Sequence, residues 1–232
     1  MQLFYSPNID SLFTLDAEES RHAVRVMRLR RGDAMYVTDG CGTLCCCRIV
    51  DADERACAVE VVEKMDSPAE APGLTLAVAP TKNPARMEWL VEKAVEVGVG
   101  EVQLLQCDHS ERVFLKTERL QRVALSAMKQ SLHTVLPPVR PAVSFRQWIA
   151  TVDTPLRLIA HCEADQPRTP LAQMLQPGYD ATVLIGPEGD FSPEEIELAL
   201  DSGFHPVSLG PSRLRTETAA LYAVVAFSQA NS

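Results

Sequence analysis

The chain has 232 residues, 46% of them hydrophobic and 23% charged, and a formal net charge of −9 at pH 7. This length can bury a core, either as one large domain or as a small and a medium one. The longest apolar run, residues 219–227, is too short to span a bilayer, and the N-terminus lacks the basic and apolar regions of an export signal. We expect a cytoplasmic globular protein, and the acidic charge argues against a general nucleic-acid coat protein.

The seven cysteines are expected to be reduced thiols, because their number is odd and no export signal precedes them. Five of them crowd one region: Cys41, Cys45, Cys46, Cys47 and Cys57. No C-x-x-C spacing occurs, and adjacent cysteines in a strand point to opposite faces. Apolar packing is therefore favoured over the alternative of a zinc site, and no metal is expected.

Residues 1–65 read as short strands separated by turn residues. The β-rich stretches are "QLFY", "DAMYVTD", "GTLCCCRIV" and "ACAVEVVEKM", with one helix at about residues 18–28. This pattern predicts a small barrel. "DSPAEAPG", residues 66–73, reads as a linker. We therefore expect one domain at residues 1–68 and a second at residues 74–232.

The stretch "RHAVRVMRLRR" holds five arginines and no acid in an otherwise acidic chain. These are Arg21, Arg25, Arg28, Arg30 and Arg31. A solvated helix face and a site for nucleic-acid phosphates are both compatible with this pattern.

From residue 74 onward, continuous apolar runs alternate with helical patterns. The runs are "LTLAVAP", "EVQLLQC", "LRLIAHC", "ATVLIGP" and "HPVSLG", and they are typical of strands buried on both faces. Met87, Leu90, Val91 and Ala94 repeat at helical spacing between the first two runs. Strand and helix in alternation predict a parallel α/β sheet.

Ligands of such sheets bind beyond the carboxyl ends of the strands, so the loops there are the candidate sites. The first loop, "TKNPAR", has no glycine, and no nucleotide-binding glycine motif occurs, which weakens NAD and ATP readings. The later "LIGPEGDFSPEE" carries Gly186 and Gly189, then a helix start with a capping box at Ser192 and Glu195. Glu188 favours a neutral or cationic ligand, and a plain tight turn is the alternative.

A second candidate loop is "LGPSRLRTETAAL", residues 209–221, which places Arg213 and Arg215 after the last strand. Thr216 is expected to cap a helix over residues 217–229, with Glu217 in its first turn. That helix is apolar nearly all round, which predicts burial on every side and a subunit interface.

These two loops resemble the C-terminal signature of the RsmE family, bacterial 16S ribosomal RNA methyltransferases of the SPOUT superfamily that methylate N3 of one uridine. "RHAVRVMRLRRGD", "EKAVEVGVGEVQLLQCDHSER" and "SAMKQSLHTVLP" agree with it, so the resemblance covers nearly the whole chain. It implies a PUA-like β-barrel that binds RNA, followed by an α/β domain of SPOUT type, with a parallel sheet and a C-terminal deep trefoil knot. It also implies S-adenosyl-L-methionine as cofactor, a homodimer, and 16S rRNA as partner. The net charge of −9 disfavours free RNA, so we expect the rRNA of an assembled small subunit.

Carried over by position, the resemblance implies specific site residues. The cofactor-binding residues would be Leu184, Ile185, Gly186, Pro187, Glu188, Gly189, Leu209, Gly210, Leu214, Thr216, Thr218 and Ala219. Ala79, Pro80 and His161, at the ends of neighbouring strands, are weaker candidates. The RNA-binding residues would be Arg21, Arg25, Arg28, Arg30, Arg31 and Arg213.

Methyl transfer to uracil N3 requires loss of a proton, and a cation beside O2 or O4 would favour the resulting anion. Arg215, at its family position, is the first choice for this catalytic role, and Glu217 is a weaker candidate for the base. Arg213 stands one place off the family pattern. Two alternatives stay open: a methyltransferase of the same fold acting on a ribose 2′-OH, and a non-catalytic RNA-binding module.

Overall fold

The computed structural model describes residues 2–65, 73–111, 116–163 and 167–232. The chain forms two compact units: an N-terminal unit of Met1–Glu70 with Leu125–Leu136, and a C-terminal unit of Ala71–Ala124 with Pro137–Ser232. The placement of Leu125–Leu136 in the first unit was not predicted from the sequence. The predicted linker, residues 66–73, lies outside the described residues except for Gly73.

The N-terminal unit is built on a five-stranded sheet in the order β1-β3-β4-β5-β2, in which β1 and β3 are parallel and the other pairs antiparallel. Its strands are β1 (Leu3–Tyr5), β2 (Leu12–Thr14), β3 (Ala34–Thr38), β4 (Leu44–Asp51) and β5 (Ala58–Met65). Four of these strands match the predicted ones. The missed strand, β2, is three residues long and largely exposed, so it carries no clear apolar pattern.

The clustered cysteines of the N-terminal unit follow the alternation of strand β4. Cys45 and Cys47 are fully buried in its core, whereas Cys46 on the opposite face is half-buried. Burial raises the pKa of Cys47 to about 12, so its thiol stays protonated at neutral pH. These two thiols act as small apolar core residues.

The predicted helix of this unit begins as α1 (Ala17–Arg21), where the Asp16 carboxylate accepts from the amides of Glu18 and Glu19. It continues as a π-helical turn, His22–Val26, and ends before Arg28, which has a left-handed backbone φ of 57°. In the same unit, the buried carboxylate of Glu19 pairs with the ammonium of Lys129.

The C-terminal unit contains a seven-stranded, wholly parallel sheet in the order β10-β12-β9-β11-β6-β7-β8. Its strands are β6 (Leu74–Val78), β7 (Glu101–Gln106), β8 (Val139–Ser144), β9 (Leu156–Ala160), β10 (Thr169–Pro170), β11 (Ala181–Ile185) and β12 (His205–Ser208). The predicted α/β class and its five buried strands are confirmed. The two missed strands, β8 and β10, form the edges, where burial is partial and proline is tolerated.

The remaining helices are α2 (Pro84–Val97), α3 (Thr117–Ser131), α4 (Phe145–Trp148), α5 (Leu171–Met174), α6 (Pro193–Asp201) and α7 (Thr216–Ala230), with a 3₁₀ turn at Ile149–Thr151. Helix α2 begins at Asn83, whose side chain accepts from the Ala85 amide, and ends at Gly98 with a left-handed φ of 101°. None of the helices in the described residues is long and apolar enough to cross a membrane.

Helix α7 packs against α2 and β6, with Ala220, Ala223, Val224 and Phe227 buried. Its opposite face is open, and Tyr222 is 45% exposed. The expectation of burial on every side depends on a partner subunit, so for the exposed face it stays a prediction. The subunit interface and the trefoil knot stay predictions.

Helix α6 begins with the predicted capping box. The Ser192 hydroxyl accepts from the Glu195 amide at 3.2 Å, and the Glu195 carboxylate accepts from the Ser192 amide at 3.0 Å. We expect Ser192→Ala to lower the free energy of unfolding by about 1–2 kcal/mol, because the Glu195 amide loses its acceptor and Asp108 loses the hydrogen bond that the Ser192 hydroxyl donates at 2.8 Å. Urea unfolding measures the change. Ser202→Ala, at the other end of α6, is the control and should cost under about 0.5 kcal/mol; equal losses for both would contradict the assignment.

Candidate active site

Strands β9, β11 and β12 lie side by side, and their carboxyl ends open into one cavity of about 660 Å³. This volume lies in the usual range for a small-molecule or cofactor site. Its lining comes from the segment after β9, the loop after β11, and the loop from β12 to the first turns of α7. The cavity is therefore where a parallel sheet is expected to bind its ligand.

Two side chains of the loop after β11, residues 186–190, accept hydrogen bonds from backbone amides of neighbouring loops. The Glu188 carboxylate accepts from the Lys82 amide at 3.2 Å, in the loop after β6. The Asp190 carboxylate accepts from the amides of Cys162 at 2.6 Å and Phe191 at 2.9 Å. Two side chains of this loop thus join it to the ends of β6 and β9.

The backbone conformation of the same loop depends on a glycine at position 186 and on contacts with His109. A Cβ on Gly186 would lie 3.1 Å from the Phe191 amide nitrogen, so a side chain there would displace backbone. Asp190 has a left-handed φ of 66°. His109 Nδ1 lies 3.2 Å from the Gly189 carbonyl oxygen and 3.1 Å from that of Asp190, which braces the loop from the end of β7.

The loop between β12 and α7 forms the other wall of the cavity. Gly210 has a φ of 118°, a conformation that favours glycine. Residues 211–214 line the cavity and make no hydrogen bond to any other described residue, so within that part of the chain the amides of residues 212–214 and the carbonyls of residues 211–214 are open to a ligand.

Thr216 does not cap helix α7, so that prediction is wrong. Arg215 is the N-cap residue and makes no capping bond with its side chain. The buried Thr216 hydroxyl instead donates to the Gly186 carbonyl at 3.1 Å and links the two cavity loops. A threonine before an apolar helix gives the same sequence pattern in either role.

Three arginines line the cavity: Arg168, Arg213 and Arg215. Within the described residues, none of their guanidinium groups forms an ion pair. Two acids, Glu188 and Asp190, also line the cavity, and both accept hydrogen bonds from backbone amides. The wall therefore offers unpaired positive charge.

Glu217 lies in the first turn of α7, outside the cavity lining. It is 7% exposed, and one carboxylate oxygen lies 3.5 Å from Arg86 Nε. Its other oxygen has no hydrogen-bond partner among the described residues. This position favours a structural ion pair over the role of a catalytic base.

His161 ends β9 in the cavity lining and is 4% exposed. Its Nδ1 accepts from the Glu163 amide at 3.2 Å, which places the proton of the neutral ring on Nε2. Nε2 has no hydrogen-bond partner in the described part of the chain. Burial lowers the pKa of His161, so the ring is held in its neutral form.

The structure brings most of the predicted cofactor residues to this one cavity. Those that line it are Ile185, Gly186, Pro187, Glu188, Leu209, Gly210, Leu214, Thr216 and Ala219. Outside the lining, Leu184 is buried in the core, Gly189 lies against His109, and Thr218 is exposed. Ala79 and Pro80 are buried and also lie outside it.

Two charged residues of the cavity wall, Asp190 and Arg168, were not predicted from the sequence. Asp190 directly follows the recognised "GPEG" and could have been included with it. Arg168 carries no signal, because it precedes a two-residue strand that the sequence does not reveal. The predicted RNA-binding residues Arg21, Arg25, Arg28, Arg30 and Arg31 are exposed on the N-terminal unit, and Arg213 lines the cavity.

Comparison with known proteins connects this cavity to a family. A model of the RNA methyltransferase domain matches residues 69–228, and one of the RNA methyltransferase PUA domain matches residues 15–62. The ribosomal RNA small subunit methyltransferase E of Synechocystis sp. is 32% identical over 93% of this chain and 72% of its own. The chain belongs to the RsmE family.

Solved structures of similar proteins agree with this assignment. A probable rRNA-methyltransferase from Porphyromonas gingivalis has 45% identity and a TM-score of 0.91, over 97% of this chain and 95% of its own. The RsmE of Neisseria gonorrhoeae, crystallised with S-adenosyl methionine, has 26% identity and a TM-score of 0.85, over 97% and 96% of the two chains. The predicted family and fold class are confirmed.

The cavity fits a ligand with the chemistry of S-adenosylmethionine. The unbonded backbone of residues 211–214 offers donors and acceptors of the kind that an adenosine requires. The acids Glu188 and Asp190 lie in the same wall, where a cationic sulfonium would be tolerated.

The buried, neutral His161 predicts a pH dependence of stability. Its folded-state pKa is lowered from 6.5, so the unfolded chain binds the proton first as pH falls. We therefore expect the free energy of unfolding to decrease below about pH 6.5, and to decrease less steeply in His161→Gln. Urea unfolding between about pH 7.5 and about pH 5 measures both slopes. His205→Gln, at an exposed position of β12, is the control; identical slopes for wild type and His161→Gln would refute the argument.

Proposed function

We propose that this RsmE-family protein transfers the methyl group of S-adenosylmethionine to N3 of a uridine in 16S ribosomal RNA. The observation that carries the proposal is the cavity at the ends of β9, β11 and β12, in which Arg215 forms no ion pair with a described residue. Family membership supports both the cofactor and the RNA class.

When bound, S-adenosylmethionine supplies an electrophilic methyl group on its sulfonium. Uracil N3 is a poor nucleophile while it carries its proton, and its anion spreads charge onto O2 and O4. The Arg215 guanidinium would stabilise that charge in the cavity, as fixed cations do for developing oxyanions. Glu217 pairs with Arg86, so we assign it to holding the start of α7.

The target uridine must leave its base stack to enter a cavity of this kind. The exposed arginines of the N-terminal unit supply positive charge to hold RNA phosphates, with Arg213 adding to it at the cavity. Since the whole chain is acidic, we propose a preformed surface of the small ribosomal subunit, in the cytoplasm, as the substrate.

We also propose a homodimer formed through α7 and α2. The two helices pack together, and each leaves a large side chain exposed, Tyr222 at 45% and Trp89 at 42%. Burial of these apolar groups would favour association. We further propose a C-terminal trefoil knot and two domains, at residues 1–68 and 74–232.

Mass spectrometry of 16S ribosomal RNA from cells with and without this gene tests the function. We expect one N3-methyluridine to disappear with the gene and to return with the wild-type copy. Because N3-methylation blocks the pairing edge of the base, reverse transcription should stop at this site only in cells that carry the gene. A lost 2′-O-methyl group, or no lost modification, would refute the proposal and favour the alternative activities.

The same cells test the catalytic role of Arg215. We expect Arg215→Ala to reduce the methylation rate on small subunits by about 10²–10³-fold, because a charge-stabilising donor is lost. Calorimetry should find that the variant still binds S-adenosylmethionine. Arg86→Ala, which removes the partner of Glu217, is the matched comparison. An Arg215→Ala variant that methylates at the normal rate would exclude this role.

The exposed arginines of the N-terminal unit predict a salt-dependent affinity for RNA. Each phosphate contact contributes about 0.7 to 0.9 to the slope of log affinity against log salt. We expect Arg25→Gln with Arg28→Gln to reduce that slope by about 1 to 2 in filter binding of small subunits. Arg48→Gln is the control, since Arg48 in β4 pairs with Glu60. An unchanged slope in the double variant would show that these arginines face away from RNA.

A further inference from the structure

Arg168 lines the cavity and lies immediately before the short edge strand β10. The strand follows Arg168 directly and pairs in parallel with β12, Thr169 with Val207 and Pro170 with Ser208. This pairing fixes the residue beside the loop that carries Arg213 and Arg215. The position of Arg168 in the wall is therefore set by backbone hydrogen bonding of the sheet.

Within the described residues, the guanidinium of Arg168 is oriented by a hydrogen bond but forms no ion pair. Its Nη1 donates to the His161 carbonyl at 2.5 Å, which uses one of five N–H donors. No carboxylate among the described residues pairs with it. The nearby acids, Glu188 and Asp190, accept from backbone amides instead. The remaining donors of Arg168 have no partner among the described residues.

Among the other described arginines of the C-terminal unit, several pair with acids, whereas Arg122 and Arg157 donate to backbone carbonyls. Arg119 pairs with Glu88, Arg140 with Glu101 and Arg146 with Asp108. In contrast, three guanidinium groups line one cavity without an ion pair within the described residues, in a chain of net charge −9. Like charges repel at close range, so an anionic ligand would relieve this arrangement.

The wall holds three arginines and two acids, Glu188 and Asp190, so positive charge is in excess and favours an anionic group beyond the cofactor. S-adenosylmethionine carries a single carboxylate, which one arginine can bind through two hydrogen bonds. A nucleic-acid strand carries one phosphate per nucleotide and so matches several arginines. Planar guanidinium forks are well suited to phosphate oxygens.

We propose that Arg168 binds a backbone phosphate of the RNA strand beside the target uridine and so positions that nucleotide at the cavity. The proposal rests on the proposed function, because it names a further RNA contact of the same site. Arg168 acts before the chemical step, by holding the strand, and takes no part in proton removal.

Filter binding of radiolabelled small subunits, from cells lacking the gene, tests this contact without requiring turnover. In Arg168→Gln we expect about tenfold weaker binding, and a slope of log affinity against log salt that is smaller by about 1 between about 50 and about 200 mM KCl. Arg168→Lys should restore most of the slope, because an ammonium also binds phosphate as a point charge. Calorimetry should give the same S-adenosylmethionine affinity for the wild type and both variants.

Arg122→Gln is the charge-matched control, because Arg122 is exposed on α3 and lies outside the cavity lining. It should leave the slope at the wild-type value. A wild-type slope in Arg168→Gln would overturn the proposal, as would a loss of S-adenosylmethionine affinity large enough to explain weaker binding. Absence of methylation by the wild-type protein would instead refute the proposed function, and the binding slopes would still decide the role of Arg168.

Discussion

The hydrogen bonds that two carboxylates accept from the backbones of other segments hold the cavity together. Glu188 and Asp190 stand in a loop whose backbone cannot be regular, since Asp190 adopts a left-handed φ of 66°. A non-glycine residue in that region costs of order 1 kcal/mol. Charge-assisted bonds to the amides of Lys82 and Cys162 offset this cost and join the loop to the ends of β6 and β9. They act together with His109 and Thr216, which contact carbonyls of the same loop.

The Thr216 hydroxyl extends the same principle to the last helix. The hydroxyl donates to the Gly186 carbonyl, and the first turn of α7 has no side-chain cap. The helix is stabilised instead by packing against α2 and β6, so its stability does not depend on the cap. The β12–α7 loop is thereby fixed at both ends, while residues 211–214 between them keep free backbone groups. A ligand-binding loop requires fixed ends and, between them, backbone groups that can bind the ligand.

The sequence allowed the buried strands, the α6 capping box and both cavity loops to be predicted, because each depends on local pattern. Three features depend on tertiary contacts and could not be predicted. Strand β10 is two residues long, so Arg168 had no recognisable context. Thr216 satisfies the sequence rule for a cap, and only the proximity of Gly186 determines its actual partner. The contacts that join Leu125–Leu136 to the N-terminal unit, such as that of Lys129 with Glu19, link positions far apart in the sequence.

The distribution of charge explains how an acidic protein can be suited to RNA. Outside the cavity, several arginines of the C-terminal unit are neutralised by acids, so they add little to the field at a distance. The arginines of residues 21–31 and of the cavity, which form no ion pair among the described residues, act within about 8 Å, the screening length at physiological salt. A net charge of −9 over the rest of the surface disfavours non-specific binding of RNA. Stable association then requires a surface that presents phosphates to both groups of arginines, which a folded ribosomal RNA can do and an extended strand cannot do without an entropic cost.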